Sequence, residues 1–243
     1  MIVFPMVGMS RRFSEAGYDR PKYMLPLAGA TCFDWSVMGF RDSFTDMTFV
    51  MRGDFDTPDF VRQRLAALGI VDARLVVLDA MTAGQAETVE RGLAGVDAIG
   101  DEGLAIFNID TFRPGFTLPP REARGDGYLE VFVGAGDNWS FVADDGTGSN
   151  RVARTTEKQP ISDLCCTGLY HFARLDDFRS AVAAERADPS SAELYVAPAY
   201  NHLIAAGRDI RYSVVERDDV VFCGVPSEYE ALGPEVAAMF APS

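Results

Sequence analysis

Arg11, Arg12, Arg20 and Lys22 lie within a dozen residues of one another, in a chain whose formal net charge is −14. They follow the apolar run Ile2–Val7 and the small-residue turn Gly8-Met9-Ser10. A buried strand that opens into such a turn lets backbone N–H groups approach phosphate oxygens, while guanidinium and ammonium groups neutralise them. The chemistry this suggests is anion binding, with phosphate as the natural ligand. A solvated basic loop is the simpler alternative that charge alone leaves open.

Other candidates fall at the ends of predicted strands, where open α/β sheets hold their ligands. Asp110 closes the apolar run Leu104–Ile109. A carboxylate there suits Mg²⁺, which takes one or two carboxylates plus substrate phosphates, or it is a turn or cap residue. Gln85 follows Thr82 at capping-box spacing, so it either turns back onto the Thr82 amide or reads the edge of a nucleobase. Glu157-Lys158 lies between two predicted strands and is either a surface pair or part of a pocket. Trp139, Gly168 and Glu193 are pocket candidates or plain packing, turn and surface residues.

The elements that must position these groups change character halfway along. The first half alternates strand and helix: a helix over Thr31–Phe44, a strand over Met47–Met51, then a helix capped by Thr57 and stopped at Gly69. A strand over Arg74–Leu78, a helix over Gly84–Ala94 and the Leu104–Ile109 strand complete it. This pattern implies parallel βαβ units. The second half reads as strands at Tyr128–Val133, Trp139–Ala143, Arg151–Thr155 and Leu164–Phe172. Helices at Leu175–Ala187 and Tyr195–Ala206, a strand pair at Ile210–Val215 and Val220–Phe222, and a helix from about Ser227 to Phe240 follow.

The 243 residues suit a single α/β domain, residues 1–243, with a nucleotide-binding half over 1–115 and an acceptor half over 116–243. The net charge disfavours nucleic acid as a partner. No run approaches a membrane span, so no membrane insertion is expected, and the N-terminus reads as strand rather than signal peptide. Cys32, Cys165, Cys166 and Cys223 form no CxxC pair and read as reduced thiols of a cytoplasmic protein. His171 and His202 read as structural. A homo-oligomer is compatible with the composition.

Taken together, these pieces resemble the sugar-phosphate nucleotidylyltransferases, or NDP-sugar pyrophosphorylases, in particular the members serving capsule and surface-polysaccharide synthesis. The similarity spans nearly the whole chain. It implies a Rossmann-like, GT-A-type fold with a mixed, mostly parallel sheet flanked by helices. Gly8-Met9-Ser10-Arg11-Arg12 and Pro21-Lys22 resemble the family's opening loop and Pro-Lys. Gln85 is similar to its base-contacting glutamine, and Asp110 to its metal aspartate. Glu157-Lys158 is similar to the pair that contacts sugar and phosphate. Thr167–Phe172, which contains Gly168, resembles the strand after that pair, and Tyr195–Asn201 resembles the polysaccharide-type members.

Two positions depart from the pattern. Ser10 replaces the second loop glycine, which makes the closest backbone approach harder. Where many members carry a second metal aspartate, this chain reads Val221-Phe222-Cys223-Gly224-Val225-Pro226, with Asp218 and Asp219 some residues upstream. The resemblance implies attack of a sugar 1-phosphate on a nucleoside triphosphate, a pyrimidine by preference and CTP first. Arg12, Lys22 and Asp110 are then catalytic, with Mg²⁺ on Asp110. Gly8, Met9, Ser10, Arg11 and Gln85 bind nucleotide; Glu157, Lys158, Gly168 and Glu193 bind the acceptor. A degenerate binding protein and a GT-A glycosyltransferase are the rivals; Asp110-Thr111-Phe112 lacks the Asp-x-Asp expected of the latter.

Overall fold

The computed structural model describes residues 1–241. Among these, nine strands form one sheet. Its order runs Val152–Glu157, Ser140–Asp144, Leu164–Phe172, Leu104–Phe107, Ile2–Pro5, Met47–Arg52 and Arg74–Leu78. Gly127–Val133 also pairs with Leu164–Phe172 and carries Ile210–Val214 on its other side.

The strands of the first half pair parallel, Ile2 beside Met47 and Ala105, and Phe49 beside Leu75. Their loops therefore leave at a common edge. Leu164–Phe172 runs antiparallel to Leu104–Phe107, with Leu169 opposite Phe107, and joins the two halves into one mixed sheet.

Alternation along each strand feeds two apolar layers. Ile2, Phe4 and Phe49 face Phe33, Phe40, Val61 and Leu65 on one side. Val3, Val50 and Ile106 face Val89, Phe178 and Tyr200 on the other. Burying side chains of this size stabilises by about 1.5–3 kcal/mol each, so the strands sit in a fixed frame. Cys165 and Cys166 enter different layers, as alternation requires, and all four cysteines are buried and unpaired by disulfides.

Several predicted boundaries move. The first long helix spans Cys32–Met38, with Thr31 and Asp34 forming a capping box, and stops well before Phe44. Gly39 ends it against the chain, where an added Cβ would lie 2.3 Å from the Arg113 carbonyl oxygen. Thr57 is the first residue of its helix and Asp56 the cap. Glu157 is the last residue of a strand, not part of a loop.

Ile210–Val214 and Val221–Phe222 do not pair with each other. The former lies parallel to Gly127–Val133, and the latter crosses to Thr111–Phe112, where Phe222 packs on Phe132 and Trp139. A 3-10 turn at Arg217–Asp219 redirects the chain between them. The terminal helix is two helices, Pro226–Glu230 and Glu235–Met239. Pro234 separates them because it lacks an N–H and disfavours helix at Gly233. No helix among the described residues is long and apolar enough to cross a membrane.

Candidate active site

A cavity of about 390 Å³ opens at the carboxyl edge of the parallel strands. Gly8, Ser10, Lys22, Gln85, Asp110, Glu157, Gly168 and Glu193 all line it. A second cleft of about 520 Å³ adjoins it and adds Arg11 and Arg12. Met9 is 53% exposed and lines neither.

Lys22 and Asp110 lie on the wall common to both clefts and form an ion pair between Nζ and Oδ2. Asp110 reaches this place because its strand ends at Phe107 and Cys223 N donates to its backbone carbonyl at 2.8 Å. It is no helix cap. The loop before Lys22 is tied from several directions. Ser10 adopts φ 49°, ψ 38°, a left-handed conformation that costs a non-glycine residue about 1–2 kcal/mol. Its hydroxyl accepts from Lys22 N at 3.3 Å. Phe13 is buried against Tyr18 and Tyr229, so the C-terminal segment clasps the loop and leaves Arg11 and Arg12 facing the second cleft.

Gln85 does not form a capping box with Thr82. It is the first residue of the Gln85–Gly92 helix, and its side-chain amide donates to Asn108 Oδ1 inside the cavity. Glu87 takes the capping task, accepting from Ala83 N. Asn108 in turn packs over Gly168, whose φ is +96° and whose added Cβ would lie 2.6 Å from Asn108 Nδ2. Gly84 allows a second close approach, since an added Cβ would lie 2.5 Å from the Leu194 carbonyl oxygen. Ala86 N donates to that oxygen and Leu194 N donates to Ala83 O, which seats Glu193 and Tyr195 beside Gln85.

At the other end, Glu157 accepts from the Ser140 hydroxyl, and Ser140 also meets the Tyr170 hydroxyl at 3.0 Å. Burial holds the Glu157 carboxyl above its usual range, against the lowering effects of Ser140 and Lys158. Lys158 is exposed and lines neither cleft, but its Nζ lies 2.6 Å from the hydroxyl of Tyr195, which lines the first. Burial opposes its charge, but that hydrogen bond and the surrounding carboxylates outweigh it and raise its pKa.

Sequence reasoning missed Asn108, Ser140, Tyr170, Tyr195 and Glu228. Asn108 sits two residues before Asp110 at the same strand end, which is a usable signal. Glu228 had none: its place comes from the turn at Gly224, which brings its carboxylate into the second cleft. Asp218 and Asp219 are exposed and line neither cleft.

The donor set near Asp110 fits Mg²⁺. A Cβ placed at Gly224 would meet Asp110 Oδ2 at 3.2 Å and Glu228 Oε2 at 3.6 Å, so glycine leaves both carboxylates room there. Hard carboxylate oxygens beside cations that attract phosphate are the surroundings this ion prefers.

A Rossmann-like parallel half, a cationic loop and a carboxylate at the central strand end define a nucleotidyltransferase-type α/β enzyme. A solved nucleoside-diphosphate-sugar pyrophosphorylase from Vibrio cholerae RC9 is 49% identical, with 95% of this chain and 98% of that one covered and a TM-score of 0.89. The chain belongs to the nucleoside-diphosphate-sugar pyrophosphorylase family. More distant structures share the fold. An inositol-1-phosphate CTP transferase from T. maritima matches at 13% identity over 98% of this chain and 93% of that one, with a TM-score of 0.74. A UDP-glucose pyrophosphorylase complexed with UDP-glucose matches at 15% identity over 98% of this chain and 97% of that one, also at 0.74. No family model and no curated protein matches the chain.

Proposed function

We propose that this enzyme joins a pyrimidine nucleoside triphosphate, CTP first among the candidates, to a sugar 1-phosphate. An oxygen of the acceptor phosphate bonds to the α-phosphorus. The bond between the α-phosphorus and the bridging oxygen breaks, and pyrophosphate leaves with its electron pair. The nucleophile is already anionic, so the reaction needs no general base. In-line positioning and neutralisation of charge then carry the rate.

The observation that carries this reading is the Lys22–Asp110 pair on the wall shared by the two clefts. In this reading Arg12, Arg11 and the amides of Gly8, Met9 and Ser10 hold the triphosphate where the two clefts meet at Ser10. Lys22 neutralises the α-phosphate. Gln85, steadied by Asn108, meets the base, because a carboxamide offers both a donor and an acceptor to a pyrimidine edge. Glu157 and Glu193 accept from acceptor hydroxyls, Lys158 meets the acceptor phosphate, and Gly168 leaves room for Asn108. Asp110 would hold Mg²⁺, which supplies Lewis-acid stabilisation of the phosphoryl oxygens when bound. The product is an activated sugar of the kind consumed in capsule or surface-polysaccharide assembly.

The glycosyltransferase rival loses support from Thr111 and Phe112, which are buried in a short strand and offer no second carboxylate. The test is a panel of CTP, UTP and dTTP against hexose and heptose 1-phosphates with Mg²⁺, read by pyrophosphate release. Release of free nucleoside diphosphate from a nucleotide sugar, without pyrophosphate in any combination, would reject the reading.

A further inference from the structure

We propose that a third cavity, at the amino end of the Leu104–Phe107 strand, binds a small oxyanion of the phosphate type through Arg124 and Arg121. Asp110 follows the other end of that strand, so this site is separate from the active site and does not depend on nucleotidyl transfer. The cavity holds about 130 Å³ and is lined by Arg121, Arg124, His171, Ala173 and residues 99–101. One water needs only ~10–15 Å³, so a group of several heavy atoms fits. Arg121 and Arg124 stand three residues apart on one helical turn, which places them on the same face. Gly125, with φ +58°, ends that turn against the chain, where an added Cβ would lie 2.4 Å from the Asp209 carbonyl oxygen.

Arg124 is the group that points to a ligand. It is only 6% exposed, yet neither it nor Arg121 forms an ion pair among the described residues. Nη1 donates to the Glu102 carbonyl oxygen at 2.5 Å and lies 2.6 Å from His171 Nε2, which fixes one edge of the guanidinium. Nε is buried without a hydrogen-bond partner, as is His171 Nδ1 beside it. Burial and then Arg121 oppose the Arg124 charge and lower its pKa; the Glu102 and Glu122 carboxylates offset this only through space. Asp101 is the carboxylate on the lining, and it is exposed. Buried charges are ordinarily paired, and a buried polar atom without a partner is a signature of a bound ion or water. Two guanidinium groups on one face of a small cavity favour the ion, because their planar forks match oxyanion geometry.

The experiment titrates inorganic phosphate into the full chain by calorimetry without metal. The Arg11→Ala/Arg12→Ala double variant is the background, so that anion binding in the active-site cleft does not mask the second site. Ala173→Leu fills the cavity and keeps both arginines; Arg121→Ala removes an exposed cation without touching the core. We expect phosphate uptake in the background, and a loss of about tenfold or more on adding Ala173→Leu or Arg121→Ala, the scale of one charge-assisted hydrogen bond. Phosphate should also raise the melting temperature of the background, because a ligand of the native state stabilises it by mass action. No uptake in the background, or a smaller loss in Ala173→Leu, overturns the site. A full loss in Ala173→Leu with no loss in Arg121→Ala keeps the site and assigns its charge to Arg124 alone. Should Ala173→Leu fail to fold, Arg121→Glu decides: a loss below tenfold on that charge reversal overturns the site. A hexose 1-phosphate is titrated in parallel, counting only the binding lost in Ala173→Leu, or in Arg121→Glu where that variant decides. Tighter binding of the ester names a phosphate monoester as the ligand, and tighter binding of inorganic phosphate names the free anion.

Discussion

Lys22 Nζ sits on Asp110 Oδ2, and both side chains are about four-fifths shielded, at 21% and 22% exposure. Each therefore fixes the other at the junction of the two clefts. Removal of either leaves a partly desolvated charge without its partner, besides deleting a group assigned to the α-phosphate or the ion. Lys22→Ala and Asp110→Asn should each lower kcat by roughly 10²-fold or more, the scale for loss of one electrostatic stabiliser. Steady-state pyrophosphate release measures this. Near-normal turnover in both variants would remove the pair from the mechanism.

Asn108 orients Gln85 through its side-chain oxygen and is itself held over Gly168. Asn108→Ala should raise KM for the triphosphate about 5–10-fold, equivalent to one lost hydrogen bond of about 1 kcal/mol, while kcat changes little. Gly168→Ala should act in the same direction by displacing Asn108. Equal KM values for parent and both variants would show that Gln85 does not depend on this support.

Ser140 and Tyr170 stand behind Glu157. Ser140 lowers the Glu157 pKa against the dominant effect of burial, so its removal should raise that pKa further. Ser140→Ala should then lose acceptor binding at a higher pH than the parent as the solution is acidified. The measurement is kcat/KM for the sugar phosphate against pH. Triphosphate KM should hold constant; a shift in triphosphate KM alone would place Ser140 in another role.

Local patterns predicted the parallel half well because its strands are apolar runs that end where the ligand groups begin. Gly8, Ser10, Arg11, Arg12, Lys22, Gln85 and Asp110, picked out in the sequence, line the two clefts; Met9 does not. Phe222 was misplaced because its partner strand, Thr111–Phe112, lies more than a hundred residues away in sequence. Short strands of two residues carry no periodicity to read. The split near Gly233-Pro234 carried a local signal in its proline, yet the segment was read as one helix. Glu228 had no such signal, since only the tertiary return of the chain brings it to the second cleft. At Gln85 the spacing from Thr82 left a capping box open as the alternative, and the side chain bonds Asn108 inside the cavity instead.

His171 yields a prediction about stability rather than chemistry. Its ring is 1% exposed, and burial lowers its pKa from 6.5 to about 4. Its Nε2 lies 2.6 Å from both Arg124 Nη1 and the Glu102 carbonyl oxygen. Nδ1 has no partner among the described residues. Between pH 6.5 and about 4 the unfolded chain binds a proton that the native ring refuses. Stability should therefore be fully present above pH 6.5 and fall as pH drops through this window, by up to about 3 kcal/mol from this residue. Urea unfolding of the parent and His171→Gln at pH 7, 6, 5 and 4 isolates the effect, because the remaining groups are shared. The parent should lose stability more steeply than the variant. Parallel curves would mean that His171 titrates alike in the folded and unfolded states.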